Sequence, residues 1–235
     1  MTGRAIGQLQ AVLTGLALPY TRKGSLSAIQ KLPQEGPVAA GPSGLAGDEQ
    51  GDLRVHGGAD KAVHCYAWSH YAYWREVLPP QTHALLAQPG AFGENFSMEG
   101  LAEDQVCLGD VWQVGSAKFE VSQGRQPCWK LNDRFAVPDM ARQVQDGGRA
   151  GWYLRTAQPG VVRAGDTVWL LARPYPDWSV ARLLQLITDR NCDPKLLIEV
   201  LSLPLTPSWQ RLFSRRLENE QPEDWGPRMQ GESTS

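Results

Sequence analysis

Cysteine is scarce in this chain, with four residues in 235, Cys65, Cys107, Cys128 and Cys192, and none of them at the short CxxC spacing. A disulfide-stapled fold is therefore not indicated, and free thiols in a reducing, cytoplasmic setting are the simplest account. Net charge is equally sparse. Twenty-three Lys and Arg against 25 Asp and Glu leave −2, which gives no global attraction to nucleic acid or to an anionic membrane surface. Any anion site must be local. No stretch approaches the roughly 20 apolar residues that span a bilayer, and the apolar run from Ala11 to Leu18 is interrupted by Thr14 and Gly15, so it reads as a strand and not as a signal peptide. The GxxxxGK spacing of a nucleoside triphosphate loop is missing. His56, His64 and His70 show no HExxH-type spacing, which argues against zinc.

What the chain does have is nine Trp, 24 Gly and 17 Pro, a composition of many turns and few long helices. Up to about Arg173 the signals are strand and turn. Ala117, Phe119 and Val121 alternate with Lys118, Glu120 and Ser122, which predicts a strand with one apolar face. Gly109-Asp110 and Gly165-Asp166 break neighbouring apolar runs. Short strands punctuated in this way suit a closed barrel, where no edge is left exposed. Two helices interrupt the body: one opened by Ser69 and carrying Tyr71, Trp74 and Leu78 before Pro79-Pro80, the other from about Asp139 to Gln145.

Beyond Pro174 and Pro176 the period changes. Ser179 precedes Val180, Leu183, Leu184 and Ile187 at helical spacing, Asp193-Pro194 opens a second helix, and Thr206-Pro207 a third. Each is too short to persist alone, so they must pack. The chain is thus read as a mainly β domain over residues 1–174, a three-helix subdomain over 175–220, and a polar, disordered tail over 221–235. Arg211, Arg215 and Arg216 read as the solvated face of the last helix and not as a nucleic-acid surface.

Three segments carry chemistry. Ser122-Gln123-Gly124-Arg125-Gln126-Pro127-Cys128-Trp129-Lys130 follows the clearest strand, and a cysteine placed there between Arg125 and Lys130 has neighbours that favour its thiolate. The alternative, a small buried apolar residue, stays open. Cys65, Cys107 and Cys192 read as structural. His56-Gly57-Gly58-Ala59-Asp60-Lys61-Ala62-Val63-His64 reads as a glycine loop whose amides, with Lys61, can meet an anion. Phe92-Gly93-Glu94-Asn95-Phe96-Ser97 places a carboxylate and an amide in a turn, where such residues usually satisfy backbone groups.

Taken in order, the GLAGD, HGGADKAVHCY, FGENFS and QGRQPCWKLN runs, followed by Gly151-Trp152-Tyr153-Leu154-Arg155 and the stretch from Pro159 to Asp166, resemble the MOSC domain family, in particular its YiiM-like members. The resemblance spans nearly the whole chain. It implies a MOSC-type β-barrel with a few interspersed helices and the three-helix appendage. It also implies the molybdenum cofactor (molybdopterin), bound to the metal through Cys128. Arg125, Lys130 and Lys61, together with Arg163, would grip the anionic pterin, while His56, Glu94 and Asn95 would bond the pterin or shape the substrate side. The activity implied is reduction of N-hydroxylated compounds, such as N-hydroxylated nucleobase analogues, to amines, with electrons from a separate flavoprotein reductase. Two rivals stand beside it: a non-catalytic carrier of the cofactor or of sulfur on Cys128, and a plain thiol enzyme with His56 or His64 as base. No nucleic-acid or membrane partner is implied, and a homodimer is compatible with the helical appendage.

Overall fold

The longest strand, β1 (Arg4–Thr14), is buried on alternate residues near its middle and continuously at its end. The computed structural model describes residues 3–51 and 57–231, so His56 lies outside the described residues. Six further strands join β1: β2 (Val63–Ala67), β3 (Phe96–Glu99), β4 (Val111–Val114), β5 (Ala117–Gly124), β6 (Trp152–Gln158) and β7 (Thr167–Ala172). Their order is β7-β4-β5-β6-β2-β3-β1, and β1 pairs again with β7. The seven strands therefore close into a barrel, as expected. Among the described residues only the β2–β3 pairing is parallel.

The apolar face of β5 points inward. Phe119 meets Phe96 edge-on with ring centroids 5.6 Å apart, and Trp112 meets Trp152 in the same way at 6.2 Å, an arrangement that suits the ring quadrupoles. Alternation along β5 stops after Val121. Ser122, Gln123 and Gly124 are all buried, because the C-terminal helices cover the outer side of the strand there. A Cβ on Gly124 would stand 2.8 Å from the Leu184 side chain, so glycine permits that close approach.

Helix α1 (His70–Val77) lies where the spacing predicts it and ends before Pro79. Ser69 sits at its cap position but makes no side-chain cap bond; buried Tyr71 and Trp74 anchor the helix instead. A short α2 (Lys130–Phe135), which the sequence reading did not anticipate, follows Cys128 directly, and α3 (Met140–Asp146) comes after it. The three C-terminal helices are α4 (Val180–Thr188), α5 (Pro194–Leu201) and α6 (Pro207–Asn219), with Ser179, Asp193 and Thr206 accepting backbone N–H groups as caps. Val180 N–H donates to the Val106 carbonyl over 2.8 Å and Thr206 Oγ1 to Gln123 Oε1 over 2.8 Å. These bonds tie the helical unit to the barrel.

Two expectations are corrected. The tail does not lack structure throughout: residues 226–230 form α7 (Gly226–Gln230), with Trp225 and Met229 buried. Tryptophan and methionine supply enough apolar area to dock a segment that is otherwise polar. Arg216 is not solvated either. Only 1% of its surface is exposed; it grips Glu223 through two nitrogens and donates to the carbonyls of Leu186, Ile187 and Asn191. A buried guanidinium persists because all its donors are spent on acceptors. Among the described residues no helix is long and apolar enough to cross a membrane.

Candidate functional site

Beyond Gly124 the chain leaves the barrel and turns. Arg125 N–H donates to the Gly151 carbonyl over 2.9 Å, and the Cys128 carbonyl accepts Leu131 N–H over 3.0 Å in the first turn of α2. Gly151, at φ +81°, is a tight point of this corner: a Cβ there would lie 2.3 Å from the Cys65 carbonyl oxygen and 2.8 Å from His64 Nε2. Glycine is required, and it lets the Arg125 loop press against β2. The result is a cleft of about 90 Å³ into which Cys128, Arg125, Lys61, Lys130 and Asn95 all project. The structure therefore gathers five of the sequence-derived candidates from three separate segments.

Two candidates do not belong to it. Glu94 has no exposed surface and is turned into its own loop, accepting Gly90 N–H at 2.8 Å, Phe92 N–H at 3.1 Å and the Tyr71 hydroxyl. Its carboxylate is consumed by turn amides, which is the ordinary role of such a residue. Arg163 sits in a surface turn, its side chain 70% exposed and 3.6 Å from Asp166; it does not line the cleft. A residue read from a sequence run carries no information about which side of a hairpin it occupies.

The cleft also contains residues that local patterns did not single out for the site. Asp48 accepts Asn95 Nδ2 on Oδ2 over 2.8 Å and pairs through Oδ1 with Lys31 Nζ, both side chains being buried. Burial pulls Lys31 below the usual lysine range, against the opposing pull of Asp48. Lys61 is lowered in the same way, opposed by Asp60 and Cys128. Burial, seconded by the charge of Arg125, holds His64 well below the ordinary histidine range, so it is neutral near pH 7. Burial raises the Tyr153 phenol, while Arg125 draws it down. Asp48 ends the GLAGD run, but nothing in the sequence connects it with Lys31, 17 residues away.

Among the described residues two buried polar atoms of this wall, Arg125 Nη1 and His64 Nε2, have no hydrogen-bond partner. Leaving such groups unmade costs about 1–3 kcal/mol each. A ligand that brings acceptors would remove that cost. Among the described residues no three His, Cys, Asp or Glu side chains converge, so a metal would meet Cys128 as a single soft ligand beside cations. That donor set fits an anionic group carrying a thiophilic metal and does not fit a metal needing a full protein cage.

The MOSC domain pattern matches residues 52–169, and the pattern described as the YiiM-like, 3-alpha helix domain matches residues 178–220. Protein YiiM of Escherichia coli (strain K12) is 36% identical over 221 residues, covering 94% of this chain and 97% of that protein. This chain belongs to the MOSC domain family. A crystal structure of YiiM from Escherichia coli superposes with a TM-score of 0.78 at 30% identity, covering 95% of this chain and 99% of that one. A protein of Gibberella moniliformis named Reductase is 39% identical over 204 residues, 84% of this chain but only 36% of its own length. The chain thus spans about a third of that fungal relative and nearly all of the bacterial one. In this MOSC protein Cys128, Arg125, Lys61, Lys130 and Asn95 of the cleft lie within the matched residues, Lys31 and Asp48 precede them, and the YiiM-like helices pack on the strand that leads to Cys128.

Proposed function

We propose that the protein is a molybdenum cofactor-dependent oxidoreductase that reduces N-hydroxylated compounds to amines, using electrons from a separate flavoprotein reductase. The observation that carries the reading is the placement of the Cys128 thiol in one cleft with Arg125, Lys61 and Lys130. When bound, the cofactor supplies the two-electron chemistry by which N–OH, with two protons, becomes N–H and water. The protein's own residues bind and orient. Cys128 offers the thiolate that a soft metal takes, and the three cations neutralise the anionic pterin end by charge-assisted hydrogen bonds. Neutral His64 and Asn95, itself held by Asp48 and the Leu13 carbonyl, set polar direction without adding charge. The names YiiM and Reductase among the relatives agree with an enzyme of this class.

The test is elemental analysis of the full chain purified from a molybdenum-replete host, with reduction of an N-hydroxylated base by an artificial electron donor measured on the same samples. The native chain holds molybdenum and reduces the base; Cys128→Ser loses both. Retention of both by Cys128→Ser overturns the proposal, and bound molybdenum without turnover in the native chain turns the reading to the carrier. Lys61→Ala should lose about tenfold to a hundredfold in cofactor retention, the value of one charge-assisted contact of about 1.5–3 kcal/mol.

A further inference from the structure

A second and much smaller cavity, of about 10 Å³, lies where the three-helix unit closes on the barrel. Its walls come from the loop before Cys128 through Arg125 and Pro127, from α3 through Gln145, and from α4 through Leu184, Ile187 and Thr188. A space of this size holds one guest about as large as a water molecule. Phosphate, sulfate and carboxylates do not fit.

Two donors on these walls are unspent. Arg125 and Gln145 are only 6% and 5% exposed, and among the described residues Arg125 Nη1 and Gln145 Nε2 have no hydrogen-bond partner. The Gln145 amide cannot simply be turned over, because its Oε1 accepts Arg228 Nη2 over 2.6 Å. Arg228 is itself held: Nη1 donates to the Pro127 carbonyl, and its own carbonyl accepts Trp129 N–H over 2.9 Å.

Charge decides what the guest is. Arg216 meets Glu223 and Arg173 meets Asp110, but among the described residues neither Arg125 nor Arg228 forms an ion pair with a carboxylate. The charge of Arg125 also repels that of Arg228. Two guanidiniums therefore share one largely buried corner with a neutral amide between them, and burying unpaired charge is costly. A water molecule would accept from the two free donors and leave the charge as it stands. A monatomic anion accepts from the same donors, needs no donor's partner of its own, and cancels charge.

We infer that this cavity is a chloride site, with Arg125 Nη1 and Gln145 Nε2 as its donors and Arg228 as the further cation that it neutralises. The site goes beyond the activity proposed above and needs no metal on Cys128. Its consequence is that halide cements the helical unit to the cysteine loop.

The experiment has two arms, both on the full-length chain. In crystals equilibrated with sodium bromide, anomalous scattering should place a bromide between Arg125 and Gln145. In solution, thermal unfolding is followed as sodium chloride replaces sodium gluconate at constant ionic strength, which keeps general screening fixed. An anion bound only by the folded chain should raise the midpoint by about 3–5 °C for each tenfold rise in chloride above its dissociation constant. Arg125 also lines the cleft, so the deciding variant is Gln145→Glu, a residue outside it. Its carboxylate stands in for the anion, and its midpoint should no longer follow chloride. A native midpoint indifferent to chloride, a cavity without bromide, or chloride dependence retained in Gln145→Glu overturns the inference. If Gln145→Glu does not fold, the bromide position in the native crystal decides. Neither arm reads molybdenum or turnover, so its failure is distinct from failure of the proposed function.

Discussion

Asn95 Nδ2 lies 2.8 Å from Asp48 Oδ2, and the second oxygen of that carboxylate takes the Lys31 ammonium. A motif residue of the cleft is thus held in place by an ion pair that is almost wholly out of water. Removing one partner of such a pair leaves the other charge buried, a change that costs about 3–5 kcal/mol. Asp48→Asn should lower unfolding stability by that order, measured by urea denaturation. The double variant Asp48→Leu, Lys31→Met should recover part of the loss. If Asp48→Asn is neutral, the pair does not hold the wall.

Acid should destabilise the protein through His64. In the unfolded chain this residue takes a proton near 6.5, while in the fold burial and Arg125 hold its pKa well below that value. Between the two, the unfolded state binds more protons, so stability falls as pH falls below 6.5, by up to about 1.4 kcal/mol per pH unit. The difference in denaturant midpoint between pH 7.5 and 5.5 should be smaller in His64→Phe than in the native chain. Equal acid slopes would remove His64 as the cause.

Glu94 should prove a residue of stability and not of binding. In Glu94→Gln the new amide group faces backbone N–H donors at one of its positions, so about 1–3 kcal/mol should be lost. The rate of Cys128 alkylation should stay native. A change in that rate with stability unaltered would return Glu94 to the cleft.

Arg163→Ala is the matching negative. With its side chain 70% exposed and paired with Asp166 across 3.6 Å, its removal should change stability by no more than about 0.5 kcal/mol. Molybdenum content should equal that of the native chain. A fall in metal content would place the pterin end far from Lys61.

The barrel was legible in the sequence because its signal is local. Ala117, Phe119 and Val121 alternate, glycine pairs mark the turns, and Ser179, Asp193 and Thr206 announce three helices before the apolar stripes begin. Those helices bury their stripes and their caps accept the bonds their positions predict. The tail misled for the same reason: proline, glycine and serine dominate its composition, and only Trp225 and Met229 hint at docking. Whether two apolar side chains suffice depends on the surface they meet, and that surface belongs to other segments.

The site divides in the same way. By itself the sequence determined that Cys128 stands between two cations at the end of a strand, that Lys61 sits in a glycine loop, and that the whole follows the MOSC order of motifs. Those are properties of neighbours along the chain. Only the tertiary structure decided that Glu94 is spent on its own loop, that Arg163 is elsewhere, that Lys31 and Asp48 form the wall, and that Arg228 bonds to Pro127 and Trp129 on either side of Cys128. Burial and counter-charge are set by whichever segments close on a group, and closure of a barrel brings together residues that no local pattern relates.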